Sequence, residues 1–420
     1  MKTLFDKIKK YNPWNGLAIN LGLERSEYLN KIMKYTGNKL IKVIVGQRRC
    51  GKSYLLRQII NTLITKQGVN PHNIFYLNKE YTAYIEVANA AELEALFNYY
   101  RKTLEVSGKI YLFIDEIQNI NNWEAFVNSY AQDFTNDFEI FITGSNSNLL
   151  SGELASLLSG RYLTFEVLPF SLAEFGAIKT REVNKALFLE YLQSGGLPEL
   201  MHLPDDEVKR HYVGDLKNTI IMHDIMQRNQ VKDLNLLEDV FKFLSTNLGS
   251  LTSVTNIVNY FKSKNKQTNY ETVSTYLKYL LDTFVIHEAE RYNLRGKQVL
   301  GGNKKYYLND LAFKNYLLGF YPTDIGHHLE NFVYLQLKRL GYQVSVGVLY
   351  QKEIDFVAEK DDKTIYVQVT YILNDQSTID REFGNLLAIK DNHEKFVVSM
   401  DEVKFSNYEG IRHLWPWELV

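Results

Sequence analysis

Eight consecutive residues near position 50 have the types and the spacing that phosphate binding needs. They match the P-loop pattern in full and run Gly46-Gln47-Arg48-Arg49-Cys50-Gly51-Lys52-Ser53. The two glycines let the backbone curl so that several N–H groups converge on phosphate oxygens. Lys52 would neutralise the outer phosphates, and Ser53 would bind Mg²⁺ through its hydroxyl. We therefore predict a site for ATP and Mg²⁺, with Tyr54 also beside the nucleotide.

Two carboxylates follow an apolar stretch further along the chain. Tyr111-Leu112-Phe113-Ile114 reads as a buried strand, and Asp115 and Glu116 come directly after it. Buried strands rarely end in two carboxylates unless there is a cation or a water molecule to position. We predict that Asp115 holds Mg²⁺ through its water shell and that Glu116 activates the attacking water. The alternative is a pair of solvated carboxylates at the start of a loop.

A third set of polar residues ends the next strand. The stretch Ile142-Thr143-Gly144 is followed by Ser145, Asn146 and Ser147. A small polar side chain at such a strand tip can contact the γ-phosphate or the attacking water. Ser145 and Asn146 both qualify, and the sequence does not choose between them.

The elements that must position these residues alternate between short apolar strands and helices. The predicted strands are IKVIVG, NIFYLN, KIYLFIDEIQ and FEIFITGS, and helical stretches such as SYLLRQIINTLITKQG lie between them. This alternation predicts an α/β fold with a mainly parallel sheet between two helical layers. The same pattern indicates a three-layer P-loop core.

After Pro198 the sequence becomes mostly helical. An amphipathic helix is predicted over 269–286, with Leu277, Leu280, Leu281 and Phe284 on its apolar face. A strand, a Gly-rich basic turn and a second strand follow, which is the order of a winged helix. Residues 206–320 hold 16 Lys or Arg against 12 Asp or Glu. Basic residues concentrate at Lys262, Lys264, Lys266, Arg291, Arg295, Lys297, Lys304 and Lys305. This surface could hold a nucleic-acid backbone, or the domain could serve protein contacts.

The C-terminal part reads as a second, smaller α/β domain. A helix ending at Gly341 precedes three successive strands, YQVSVGVLY, EIDFVAE and TIYVQVTYIL, and a helix and KFVVSMD follow. The last two of the three strands are joined at Lys360-Asp361-Asp362-Lys363.

Together, the P-loop, the strand ending in Asp115-Glu116 and the polar segment TGSNSNLL resemble the AAA-type ATPases of the additional-strand class. The segment LLSGRYLTFEVLPFSLAEF resembles a bacterial and archaeal subgroup of them. In that subgroup an AAA core is followed by a winged helix and by a domain related to PD-(D/E)XK nucleases. The resemblance implies an ATPase core over 29–200, a winged-helix domain over 201–322 and a nuclease-like domain over 323–420. Residues 1–28, which precede the core, read as an amphipathic helical segment.

The resemblance also implies roles for individual residues. Arg161 is a candidate sensor or trans-acting arginine finger, with a surface arginine as the alternative. Arg228 could reach a neighbour's nucleotide.

In the C-terminal domain, Glu330, Asp355 and Gln368 match the metal-binding part of the nuclease pattern, which also requires a lysine two residues after the Gln368 position. Thr370 stands there instead, and Lys352 and Lys363 are the alternative sources of the charge. We therefore favour a domain that has lost nuclease activity but still binds DNA or a partner over an active nuclease.

The composition of the chain limits the kinds of partner that it can attract by overall charge. The 420 residues carry a formal net charge of -1, so no global field draws the chain to DNA or membrane, and any nucleic-acid surface must be local. The single cysteine, the lack of a signal-peptide core and the lack of a long apolar run lead us to expect a cytoplasmic protein without membrane contact. We expect an ATP-hydrolysing switch or motor, with a homo-oligomer as one possibility. The alternatives are a DNA nuclease gated by ATP and a DNA-binding regulator that uses ATP only as a ligand.

Overall fold

The chain forms two compact units. The computed structural model describes residues 1–16, 19–150, 160–405 and 407–419. The first unit comprises Met1–Val167 and the second Leu168–Val420. This division differs from the predicted boundaries at residues 200 and 322, for reasons that lie in the packing of the second unit.

The first unit is a parallel sheet with helices on both sides. Its strands are β1 (Ile41–Val45), β2 (Ile74–Asn78), β3 (Ile110–Asp115), β4 (Phe138–Gly144) and β5 (Tyr162–Glu166). Its helices are α1 (Lys2–Ile8), α2 (Ser26–Met33), α3 (Lys52–Gln67), α4 (Ala90–Thr103) and α5 (Trp123–Ala131). The strand order is β2-β3-β4-β1-β5 and every pairing is parallel, which confirms the predicted α/β class.

The position of β4 sets up the site. This strand pairs with β1 on one side and with β3 on the other. All residues of β1, β2 and β4 are buried, as expected for a sheet that is covered on both faces. The carboxyl end of β4 therefore lies between the ends of β1 and β3, where the loop at residue 46 and Asp115 begin.

The second unit starts with helices. They are α6 (Leu172–Lys179), α7 (Lys185–Ser194), α8 (Asp206–Thr219, continued by a π-helical turn over Ile220–Met226), α9 (Leu234–Thr246), α10 (Val254–Ser263) and α11 (Tyr270–Asp282). The remaining elements are β6 (Ile286–Asn293), β7 (Gln298–Leu308), α12 (Ala312–Leu318), α13 (Ile325–Arg339), β8 (Gln343–Leu349), β9 (Lys352–Lys360), β10 (Lys363–Val369), α14 (Gln376–Leu387), β11 (Glu394–Val398) and β12 (Arg412–Leu414).

One sheet joins the two domains predicted in this unit. Its order is β12-β11-β10-β9-β8-β6-β7, and the predicted wing, the antiparallel hairpin β6–β7, pairs with β8 in parallel at Arg291 and Val346. Apolar side chains of α6 and α7, including Phe175 and Phe188, belong to the same core as this sheet and the helices α8 to α13. A shared sheet and a shared core explain why residues 168–420 are one unit.

The predicted helix over 269–286 is shorter in the structure. Helix α11 ends at Asp282, and Phe284 has a φ of +57°, in the left-handed region that stops a helix. Leu277 and Leu280 are buried as predicted. The last predicted helical residue, Ile286, instead begins β6.

None of the helices in the described ranges is both long and apolar enough to cross a membrane.

Candidate functional site

The predicted phosphate loop connects β1 to α3. Gly46 and Gly51 have φ values of +149° and +101°, which L-residues rarely adopt. A Cβ atom on Gly46 would also collide with the carbonyl oxygen of Val167. Helix α3 begins at Lys52, so its N-terminus points its free N–H groups into the loop. Both glycines are therefore required by the backbone.

The side chain of Lys52 lies across this loop. Its ammonium donates to the carbonyl oxygens of Gly46 at 3.0 Å and Gln47 at 3.1 Å, and it lies 3.4 Å from Oε1 of Glu116. The side chain is only 4% exposed. The structure thus brings the predicted phosphate-binding cation and the predicted catalytic carboxylate together.

Asp115 accepts hydrogen bonds from every neighbouring element. Ser53 at the start of α3 donates to its carboxylate. The other donors are the Thr143 hydroxyl at 2.5 Å, the Asn78 amide at 2.7 Å and the Tyr76 hydroxyl at 3.2 Å. Burial, and then the charge of Glu116, raise its pKa to about 6. Ser53 and Asp115, the two predicted Mg²⁺ ligands, are therefore in contact, and a hydroxyl beside a carboxylate is the oxygen donor set that Mg²⁺ prefers.

Glu116 has a different environment. Its φ is +56°, and its backbone N–H donates to the Thr143 hydroxyl oxygen at 2.9 Å, which holds this strained conformation. The Gln118 amide donates to its carboxylate. Burial would raise the pKa of Glu116, but the charges of Lys52 and Arg48 and the bonded Gln118 amide hold it below its usual range. Glu116 is therefore kept ionised, while the pKa of Asp115 is raised.

The tip of β4 supplies the polar residues between these groups. Ser145 and Asn146 are both buried, and the Gln118 amide also lies 3.4 Å from the Ser145 hydroxyl. Sequence reasoning named these two residues and missed Thr143, Gln118 and Asn78. The motifs place these three at or just beyond strand ends, but their contacts depend on the strand order.

The two arginines of the loop have different surroundings. Arg48 forms an ion pair with Glu80, which lies just beyond β2. Arg49 is exposed and has a φ of +68°. Cys50 is fully buried and its burial raises the pKa of its thiol, so a reactive thiolate is disfavoured there. Tyr54 is 40% exposed on the first turn of α3, under the guanidinium of Arg57.

Arg161 lies at the end of the strands opposite to the phosphate loop. Its carbonyl accepts a hydrogen bond from the N–H of Ile41, the first residue of β1, whereas the loop follows the last residue of that strand. Five strand residues span about 16 Å, which exceeds the reach of an arginine side chain. The backbone thus contradicts a role for Arg161 at the phosphate site of its own chain. The preceding residues 157–159 of the segment that carried its prediction lie outside the described residues.

A second group of ionisable side chains lies in the second unit. The structure brings together Glu330 on α13, Asp355 on β9 and Gln368 on β10, and the side-chain oxygen Oε1 of Gln368 accepts from the backbone N–H of Asp355 at 3.3 Å. In their midst is Lys305 of β7, which sequence reasoning assigned to the basic wing. Its ammonium lies 2.8 Å from Glu330, 2.8 Å from Glu353 and 3.5 Å from Asp355. We call Lys305, Glu330, Glu353 and Asp355 the Lys305 cluster.

Burial governs the electrostatics of the Lys305 cluster. The Lys305 side chain is 4% exposed, and its three carboxylate neighbours raise its pKa. Burial, and then the charge of Glu330, raise the pKa of Asp355 to about 7. Throughout the described ranges, no three or more His, Cys, Asp or Glu side chains are arranged as a metal-binding group.

The other lysines considered for this cluster lie elsewhere. Lys352 donates to the Gly384 carbonyl at 3.4 Å, and Lys363 pairs with Glu394 at 2.6 Å. The Thr370 N–H donates to the carbonyl of Val398. The positive charge of the predicted wing is also partly neutralised, because Lys304 pairs with Glu288 at 2.7 Å and with Glu290 at 3.0 Å.

Several known proteins are similar to this chain in sequence. A sequence profile described as an AAA domain matches residues 38–176, and one described as a domain of unknown function (DUF8612) matches residues 185–324. An uncharacterized protein of Haemophilus influenzae is 37% identical over 398 residues, which cover 94% of this chain and 97% of that protein. An uncharacterized protein of Methanocaldococcus jannaschii is 32% identical over 374 residues, which cover 86% and 80%. The chain belongs to the family of these two proteins, and it carries an AAA domain.

Solved structures with related topology are more distant. The Aeropyrum pernix ORC1 protein, determined in complex with DNA, has 14% identity and a TM-score of 0.33, over 73% of this chain and 96% of that one. AMPPCP-bound DnaA from Aquifex aeolicus has 15% identity and a TM-score of 0.31, over 65% and 92%. At these TM-scores neither likeness supports an argument about function.

Proposed function

We propose that the chain binds Mg²⁺–ATP at residues 46–53 and hydrolyses it, and that the cycle moves its C-terminal part against DNA or a protein partner. The observation that carries the proposal is the contact between the Ser53 hydroxyl and the Asp115 carboxylate, with Glu116 lying 3.4 Å from Lys52. Each of these four groups has a place in phosphoryl transfer, and they come from two sequence motifs more than 60 residues apart.

The roles follow from the contacts. Lys52 exchanges its two loop carbonyls for phosphate oxygens when nucleotide binds. Ser53 and Asp115 would hold Mg²⁺, and the bound ion would neutralise phosphate charge. Glu116 is the base that takes a proton from the attacking water, because its lowered pKa keeps it ionised. The side-chain amide of Gln118 donates to both the Glu116 carboxylate and the Ser145 hydroxyl, and so aligns these two groups around the attacking water.

Two further roles concern neighbours. Arg161 acts on the nucleotide of a second copy of the chain, which requires a homo-oligomer. Its exposure supports this assignment. Arg228, half-buried in the second unit, is kept as a weaker candidate for the same role.

The C-terminal part is proposed to be a winged helix followed by a nuclease-like fold. The order of α9, α10, α11 and the hairpin β6–β7 supports the first assignment, and the strand order of β8 to β11 with α13 and α14 supports the second. Exposed cations that remain for DNA are Lys262, Lys264, Arg295 and Lys297, whereas Lys266 pairs with Asp239.

Phosphate release tests the main proposal. The wild-type protein should release phosphate from ATP only with Mg²⁺, and Lys52→Ala should abolish release. Lys66→Ala removes an exposed lysine of the same helix and should behave as wild type. ATP binding without release in the wild type would instead favour a regulator that uses ATP as a ligand. Stimulation by duplex DNA would identify DNA as the partner, and its absence would favour a protein.

A second candidate function is metal-dependent DNA cleavage at the Lys305 cluster. The observation in its favour is that Lys305 supplies a lysine beside Glu330 and Asp355, which the sequence lacks at Thr370. Plasmid cleavage with Mg²⁺ or Mn²⁺ that is lost in Asp355→Ala would support it. Intact plasmid under both metals would exclude it.

A further inference from the structure

We infer that Arg25, in the segment before the first strand, is a positioning residue that sets the direction of a phosphate-binding N–H group in the loop. The inference rests on the proposed nucleotide site and adds to it a residue outside both sequence motifs. Arg25 is 1% exposed and is among the largest fully buried side chains of the molecule. Its guanidinium donates to the carbonyl oxygen of Cys50 at 3.0 Å.

The contact acts through the planarity of one peptide group. The Cys50 carbonyl and the Gly51 N–H belong to the same trans peptide, so they point in opposite directions. Arg25 holds the carbonyl on the outer side of the loop, which turns the Gly51 N–H toward the inner side where phosphate binds. Gly51 has a φ of +101° and no side chain to restrict it, so a hydrogen bond from outside is an effective constraint.

Arg25 is itself held in place on both sides. The Gln58 side chain of α3 accepts from the Arg25 N–H at 3.0 Å and donates to the carbonyls of Leu21 at 2.8 Å and Leu23 at 2.6 Å. The ring of Tyr28 lies 4.6 Å from the guanidinium carbon. The segment before β1 is thus fastened to the helix that the loop opens, and Arg25 is aimed at the loop.

The guanidinium also adds charge next to an anion site. An ideal Cβ on Gly51 would lie 3.7 Å from the Arg25 guanidinium, so the cation lies directly behind the loop. Lys52 and Arg25 both oppose the rise that burial causes in the pKa of the Cys50 thiol. A buried cation at this distance favours binding of the polyphosphate anion over the empty loop.

Arg25→Met tests the inference, with Arg57→Met as the matched control. Arg57 also fastens the segment, since it donates to the Asn20 carbonyl at 3.1 Å. Its other hydrogen bond runs to the Ser53 carbonyl, one turn back on the same helix, at 3.3 Å, and not to the peptide between Cys50 and Gly51. Arg25→Met should raise the Kd and KM for Mg²⁺–ATP at least about tenfold, the effect of losing a hydrogen bond from a charged group, and should change kcat less than about threefold. Arg57→Met should keep the Kd within about twofold.

Arg25→Lys keeps the charge but not the planar fork, so it should recover part of the affinity. It also serves as the test variant if Arg25→Met does not fold. The inference is overturned if Arg25→Met and Arg25→Lys bind like the wild type, or if their losses match those of Arg57→Met. If the wild type itself binds no nucleotide, the proposed function fails and the inference fails with it, an outcome distinct from intact binding in every variant.

Discussion

The phosphate loop of the first unit and the Lys305 cluster of the second both place a buried lysine beside acidic residues. The side chains of Lys52 and Lys305 are each 4% exposed. Lys52, however, bonds two neutral carbonyls and lies 3.4 Å from the Glu116 carboxylate. Lys305 lies within 2.8 Å of two carboxylates and 3.5 Å from a third. The two lysines are thus equally buried, but Lys52 mainly contacts neutral carbonyls and Lys305 contacts carboxylates.

The difference decides what each lysine can do. Neutral carbonyls are weak partners for an ammonium group, so Lys52 can exchange them for an anionic ligand at small cost. The charge of Lys305 is already balanced by carboxylates in a site with little water, and separating these charges is expensive. The first arrangement suits binding and release, whereas the second fastens β7 to α13 and β9.

The largest expected effect concerns the phosphate loop. Glu116→Gln should lower kcat for ATP hydrolysis by roughly 10²–10⁴, because the amide cannot take the proton of the attacking water. The Kd for Mg²⁺–ATP should stay within about threefold. Phosphate release and nucleotide titration measure the two. Glu105→Gln, at an exposed carboxylate of the same unit, is the control. Equal losses in kcat and affinity would assign Glu116 to binding instead.

The next effect is on stability and lies in the other region. Lys305→Met should lower the free energy of unfolding by roughly 3–5 kcal/mol, because it leaves three carboxylates around an apolar side chain. Lys52→Met should cost less, roughly 1–2 kcal/mol, because it removes a cation from beside one carboxylate, Glu116, instead of three. Urea denaturation of both variants measures the contrast. Equal destabilisation would remove the distinction between the two lysines.

A glycine pair tests how tightly the Lys305 cluster is enclosed. Gly249 has a φ of +66°, and a Cβ there would lie 2.8 Å from a Glu330 carboxylate oxygen. Gly68 has a φ of +68° with nothing within 4 Å of that position. Gly249→Ala should therefore cost roughly 2–3 kcal/mol, and Gly68→Ala roughly 1–2 kcal/mol from backbone strain alone. If thermal unfolding gives the two variants the same loss, the backbone does not constrain Glu330.

The smallest effect is a pH dependence at the phosphate loop. The raised pKa of Asp115, about 6, means that it takes up a proton as the pH falls through 6, and a neutral carboxyl binds Mg²⁺ poorly. Between pH 7.5 and 5.5 this protonation should weaken Mg²⁺–ATP binding about fourfold. Glu116, with its lowered pKa, stays ionised over this range. Asp115→Asn provides the reference, because protonation of the nucleotide itself affects both proteins equally. Parallel pH profiles would contradict the assignment.

Much of the first site could be predicted because its motifs are local. The phosphate loop uses backbone N–H groups of consecutive residues, and its glycines are readable one by one. Asp115 and Glu116 were likewise marked by four apolar residues before them. The turn that joins β9 to β10 at Asp361, with a φ of +52°, was equally clear from its composition. In the second unit, local patterns predicted the strands but not the sheet that joins the hairpin β6–β7 to them.

The residues that sequence reasoning missed act across long separations. Thr143 contacts Asp115 because β4 lies between β1 and β3, and no local pattern encodes strand order. Lys305 looked like a surface cation of a basic turn, and only the pairing of β6 with β8 brings its hairpin to the carboxylates of α13 and β9.

The sequence by itself determined that a phosphate loop and a carboxylate pair exist, because loop dihedrals and strand burial depend on neighbours in the chain. Only the tertiary structure decided which partners these groups have. Lys52 and Lys305 differ in the charges that the fold brings to them, and Arg25 meets the loop through a contact 25 residues away. Electrostatic energy depends on distance in space, and that distance is set by packing.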